Sequence, residues 1–174
     1  MRRPIVGIVG AGDAGERSLR NARELGRLVA AHGWIVLTGG RPDGVMAAAC
    51  AGAKEVPGSL TLGILPSAAG SVDPNVDVAV FTGMGDARNA INVLTSDAIV
   101  ACGLEGAGTA SEVAYALKAA KPVVLLAAGP AAVSFFRALQ GGDRVLEADS
   151  PGDAALLLER KVGLGTAAPL GRPG

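Results

Sequence analysis

Hydrophobic and polar positions along the chain alternate between two periods, one of about two residues and one of about 3.6. Residues 4–9 form a short β-rich run that stops at Gly10-Ala11-Gly12. Residues 16–31 then follow a helical period, with Leu19, Ala22, Leu25, Leu28 and Val29 on one face and Arg17, Arg20, Arg23, Glu24 and Arg27 on the other. The same alternation continues to the end. Strands are expected over 34–37, 60–65, 76–81, 98–101, 122–126 and 144–147, and helices over 44–54, 86–94, 109–120, 130–140 and 151–161. Glycine and proline punctuate the series, as at His32-Gly33, Pro57-Gly58 and Pro66. Repeated βα units imply parallel strands joined by right-handed crossovers. The expected fold class is therefore α/β, a Rossmann-like doubly wound parallel sheet of about 6–7 strands with helices on both faces. Residues 1–162 are expected to form one nucleotide-binding domain. Residues 67–75 read as a mobile loop, and the Gly/Pro/Ala-rich stretch 163–174 as a flexible tail.

Composition sharpens this picture. Of the 174 residues, 49% are hydrophobic but only 3% aromatic, so the core must be built from Ala, Val, Leu and Ile, as in covered parallel sheets. Lys and Arg number 16, and so do Asp and Glu. A zero formal net charge argues against nucleic acid or an anionic membrane as the main partner, since both need a basic surface. No apolar run is long enough to span a bilayer, and residues 1–9 are too short for a signal peptide. Cys50 and Cys102 lie far apart and read as free buried thiols in a cytoplasmic protein.

In a doubly wound sheet the ligand crevice lies outside the carboxyl ends of the strands. Three glycine loops fall at that edge. The first, Gly10-Ala11-Gly12-Asp13-Ala14-Gly15, matches G-x-G-x-x-G between a strand and a helix, where backbone N–H groups can approach a phosphate. The second strand, however, ends Leu37-Thr38-Gly39-Gly40 with no acid to hold a ribose, which argues against a dinucleotide. The second loop, Thr38-Gly39-Gly40-Arg41-Pro42-Asp43-Gly44-Val45-Met46, offers a second anion contact with Arg41 beside it. The third runs Gly103-Leu104-Glu105-Gly106-Ala107-Gly108-Thr109-Ala110-Ser111-Glu112. Arg88 falls in the first turn after the fourth strand and Glu112 in the first turn after the fifth. If those strands are neighbours, both side chains reach one crevice, roughly 5 Å apart. A carboxylate beside a guanidinium is then expected to stay ionised.

Thr38-Gly39-Gly40 with Gly44-Val45-Met46, then Arg88, then Gly106-x-Gly108-Thr109-x-x-Glu112 resemble a superfamily often mislabelled "lysine decarboxylase", the SLOG proteins. Its best-known members are the LOG-type cytokinin riboside 5′-monophosphate phosphoribohydrolases. The likeness covers about residues 4–127. Gly85-x-x-Arg88-Asn89 and the third loop look closer to the branch of molybdenum-cofactor carrier proteins, a branch also distantly similar to DNA-processing proteins. Leu104-Glu105 stands where the LOG motif has Pro-Gly, and Ala87-Arg88-Asn89 where it has Glu-Arg-Lys.

The resemblance implies Arg88 and Glu112 as the catalytic pair. Together with the geometry of the first loop, it places a phosphorylated, nucleotide-like ligand on Gly10, Gly12, Asp13, Gly15, Thr38, Gly39, Gly40, Gly44, Val45, Met46, Asn89, Gly106, Gly108 and Thr109. It implies a homodimer or homotetramer, and no required cofactor. Two functions stand open: a nucleoside 5′-monophosphate phosphoribohydrolase, or a non-enzymatic carrier with the molybdenum cofactor as bound cargo. A DNA-handling module is disfavoured by the charge balance.

Each residue also has a purely structural reading. Thr109-Ala110-Ser111-Glu112 has the form of a capping box, with Glu112 returning to the N-cap amide. Asp86 reads as an N-cap, and His32 as a helix C-terminal cap. With one His and two distant Cys, no transition-metal site can be assembled. Lys54, Lys118, Lys121 and Lys161 lie off the glycine loops, so no Schiff-base lysine and no lysine decarboxylase is expected.

Overall fold

The structure is a computed structural model that describes residues 2–160 and Gly163. Most of the expected tail lies outside the described residues. The chain runs β1 (Ile5–Val9), α1 (Glu16–Ala31), β2 (Ile35–Thr38), α2 (Gly44–Ala53), β3 (Thr61–Leu65), β4 (Val78–Phe81) and a 3-10 turn (Gly85–Arg88). It continues α3 (Asn89–Thr95), β5 (Ala98–Cys102), α4 (Ala107–Lys118), β6 (Val123–Leu126), α5 (Pro130–Ala138), β7 (Val145–Ala148) and α6 (Pro151–Arg160).

Seven strands form one sheet in the order β4-β3-β2-β1-β5-β6-β7, every pair parallel. Strand order reverses between β1 and β5, where the register runs Val6↔Ala98 to Val9↔Ala101. This is the topological switch point, and it opens a crevice at the carboxyl ends of β1 and β5. The α/β doubly wound expectation holds. The expectation that the fourth and fifth strands adjoin does not: β3, β2 and β1 lie between them. The segment from β4 to β5 instead crosses back under the sheet, and that crossover carries Arg88 to the switch point.

Apolar alternation on each strand feeds two cores. Val6, Ile8, Val36, Val100 and Val124 meet α1, α2 and α6 on one face. Val9, Ile99, Ala101, Val123 and Leu125 meet α3, α4 and α5 on the other. Burial of these aliphatic side chains, each contributing about 1.5–3 kcal/mol, is the main stabilising term. The two helices behind the first two loops are locked by glycine. A Cβ on Gly26 of α1 would strike the Ala49 backbone of α2, and one on Gly52 of α2 would strike the Arg23 backbone of α1.

β4 is different. The connection from β3 to it contains no helix, and Val78, Ala79, Val80 and Phe81 are all exposed. That connection is nevertheless tied down, since Asp73 is buried and its amide donates to Gly40 O at 3.0 Å.

Candidate functional site

The crevice at the switch point has a volume of about 280 Å³, close to the lower end of small-molecule sites (about 300–1,000 Å³). Its floor is the end of β1, Ile8 and Val9. Loop one contributes Gly10 and Gly12, loop two Gly39 and Met46, and loop three Gly106, Gly108 and Thr109. Arg88, Asn89 and Glu112 complete the predicted set. Ala11, Arg41, Pro66 and Asp86 also line it; of these, only Arg41 carried a sequence signal, two glycines and a basic residue before a helix.

The remaining predicted residues support the walls from behind. Thr38 is fully buried, and its Oγ1 accepts from the Gly40 amide at 3.1 Å. Val45 donates its amide to Ala11 O at 3.1 Å, and its side chain fills the space that a Cβ on Gly10 would need. Gly44, at φ +49°, lets α2 start against the carbonyls of Ala11 and Gly12, a position no larger residue could share. Asp13 and Gly15 are exposed and lie outside the crevice lining.

Helices α2 and α4 begin beside this crevice and α1 just outside it, all without a side-chain cap. The N-cap residues are Gly15 for α1, Asp43 for α2 and Gly106 for α4, and none makes a side-chain capping bond. Uncapped first-turn amides carry partial positive charge and suit an anion. The expected capping box is absent. Helix α4 starts at Ala107, so Thr109 is already inside the helix, and Glu112 is turned toward α3. Asp86 is not an N-cap either; it lies within the 3-10 turn, whose N-cap is Met84. His32 does sit at the end of α1, with Nδ1 2.8 Å from Leu28 O and its ring stacked on Trp34.

Arg88 and Glu112, 7% and 8% exposed, come from the crossover turn and from α4. Asn92 Nδ2 donates to Glu112 Oε1 at 3.2 Å. Arg88 packs its guanidinium against Gly39, where a Cβ would lie 2.6 Å from one terminal nitrogen. Its Nε has no hydrogen-bond partner in the protein, and Glu112 acts on it through charge. Burial pushes Glu112 above the usual carboxylate range, with the Asn92 bond and the Arg88 charge opposing. Burial likewise pulls Arg88 down, against the pull of Glu112. Of the opposing influences on Glu112 desolvation is the largest, so the guanidinium neighbour does not bring the carboxyl below its usual range. Cys50 and Cys102 are free and buried, with burial raising their thiols to about 11 and about 12.

The SLOG cluster4 family model matches residues 3–155. A molybdenum cofactor binding protein from the phototrophic bacterium Rippkaea orientalis superposes with a TM-score of 0.88 at 46% identity, covering 93% of this chain and 99% of that one. The molybdenum cofactor carrier protein from Chlamydomonas reinhardtii gives a TM-score of 0.85 at 46% identity, over 92% and 99% of the two chains. An uncharacterized protein of Archaeoglobus fulgidus is 41% identical over 121 residues, 70% of this chain and 78% of its own.

Proposed function

Since the chain belongs to the SLOG cluster4 family, we propose that it is a carrier that binds the molybdenum cofactor, as cargo, in the crevice at the β1–β5 switch point. The observation that carries this reading is the 46% identity, over nine-tenths of the chain, to a protein described as binding that cofactor. The donor set fits such a cargo. Its phosphate would lie on the uncapped amides that open α4 and on loop one, while Arg88 supplies a buried positive charge beside them. Glu112 would accept N–H groups of the pterin ring, and Met46 and Pro66 provide apolar wall. No metal-ligating side chain is required, because the cofactor brings its own metal. The carrier works in the cytosol as a homo-oligomer and uses no nucleic acid; no helix among the described residues is long and apolar enough to cross a membrane.

A second reading, hydrolysis of the N-glycosidic bond of a nucleoside 5′-monophosphate, draws on Arg88 and Glu112 facing one cavity. One experiment separates the two. The protein is mixed anaerobically with cofactor released from a molybdoenzyme, desalted, and assayed for retained pterin by oxidation to its fluorescent form. Retention of about one pterin per chain, with no base released from AMP or related nucleotides, supports the carrier. Base release without pterin retention overturns it.

A further inference from the structure

Asn92 belongs to none of the glycine loops and does not line the crevice, yet it is a buried polar residue bonded to Glu112, which does. It lies on α3 one helical turn beyond Arg88 and is 1% exposed. The next residue on α3, Val93, belongs to the second core. Leucine has nearly the same volume as asparagine and needs no polar partner, whereas an asparagine buried this deeply must find partners for both ends of its amide. Asn92 finds only one. Its Nδ2 donates to Glu112 Oε1 at 3.2 Å, and its Oδ1 has no partner in the protein. The turn itself is held in place independently: the Ser96 hydroxyl donates to Asn92 O at 2.8 Å, and Ser96 abuts Gly7 of β1. Packing thus gives no reason for an amide at this position, whereas Glu112 does.

We propose that Asn92 is a positioning residue: its amide holds the Glu112 carboxyl facing the cavity, ready to accept ring N–H groups of a heterocyclic ligand. The identity of that ligand rests on the carrier reading above; the hold of Asn92 on Glu112 does not. The charged groups around Glu112 are Arg88 on the crossover turn, with Arg41 from loop two and Asp86 also on the cavity wall. Asn92 is the neutral donor among them. By donating to the carboxylate it favours the ionised form, so removing it moves the Glu112 titration to higher pH.

The test uses the full chain carrying 13C-labelled glutamate, with the Glu112 resonance assigned by its loss in Glu112→Gln. Carboxyl titrations of wild type, Asn92→Leu and Asn92→Asp are followed without ligand, alongside thermal melts. Binding of the pterin cofactor and of inorganic phosphate is then compared. Asn92→Leu is expected to melt at or above the wild-type temperature and to titrate Glu112 at higher pH. Its cofactor affinity should fall on the order of tenfold, while phosphate affinity holds. Asn92→Asp, of the same shape, raises the midpoint through its own charge as well, so if the leucine variant fails to fold it is read on cofactor against phosphate affinity, and an equal loss of both overturns the proposal. An unmoved Glu112 midpoint in the folded variants overturns the proposal, as does an equal loss of phosphate and cofactor affinity. Failure of the wild type to retain any cofactor overturns the carrier reading alone, since the titration still tests Asn92.

Discussion

A methyl group on Gly39 would lie 2.6 and 2.7 Å from the terminal nitrogens of Arg88 and 2.7 Å from Met46 Sδ. Gly39→Ala is therefore expected to displace Arg88, costing about 1–3 kcal/mol of stability and at least tenfold in ligand affinity. A urea melt and a binding titration check the two effects separately. Glu112→Gln tests the other side of the pair. Glu112 titrates above its ordinary value because its charged form is buried, so the wild type is most stable where the group is protonated. That advantage is present below the unfolded carboxylate value and is lost as pH rises through the folded one. Against Glu112→Gln, the wild type should lose relative stability across that window and run parallel to it above. Melts at a series of pH values would show it, and a constant difference would refute the assignment. Arg88, Glu112, Gly39 and Met46 were marked out by the motif blocks that carry the family resemblance, and all four line the crevice. Asn92 was not, because an asparagine in a short helix has no signature until its partner on another helix is known.

At the level of elements, the informative case is the start of α4. Its residues have the form of a capping box, but Gly106 holds an extended conformation at φ −122° and the helix begins one residue on. The threonine is then one turn too deep to cap. Sequence cannot place such a boundary to the single residue that this distinction needs. The exposed turn suggests a direct trial. A Cβ on Gly108 meets no atom within 4 Å, so Gly108→Ala is sterically free and should stabilise the protein by up to about 0.5–1 kcal/mol. The same methyl stands on the cavity wall, and anion affinity should drop. Gain of stability together with unchanged affinity would place the ligand elsewhere. Strand β4 offers the converse lesson. Its pattern reads as an ordinary strand, and only the missing helix between β3 and β4 leaves it uncovered.

For the molecule as a whole, the alternation of elements was sufficient to give the parallel sheet and the edge at which the crevice opens. Strand order was not legible, because local patterning says nothing of which strand a long crossover returns to. The consequence was an error about why Arg88 and Glu112 line one crevice, though not about their lining it. Val78, Val80 and Phe81 of β4 are exposed, as are Met84 and Leu94 in the segment that follows. A homo-oligomer would cover such side chains. Sedimentation is expected to find a dimer or tetramer, and Val80→Lys combined with Leu94→Glu is expected to yield a smaller species with little change in melting temperature. A wild-type monomer would remove the need for any such cover.

The reciprocal fit of Gly26 and Gly52 between α1 and α2 reaches further than packing. Two of the three glycine loops lead into those helices, so neither could shift without disturbing both. The other walls of the crevice are the crossover bearing Asp86 and Arg88 and the start of α4. For a cargo of the proposed kind, those are the parts expected to yield on entry and release.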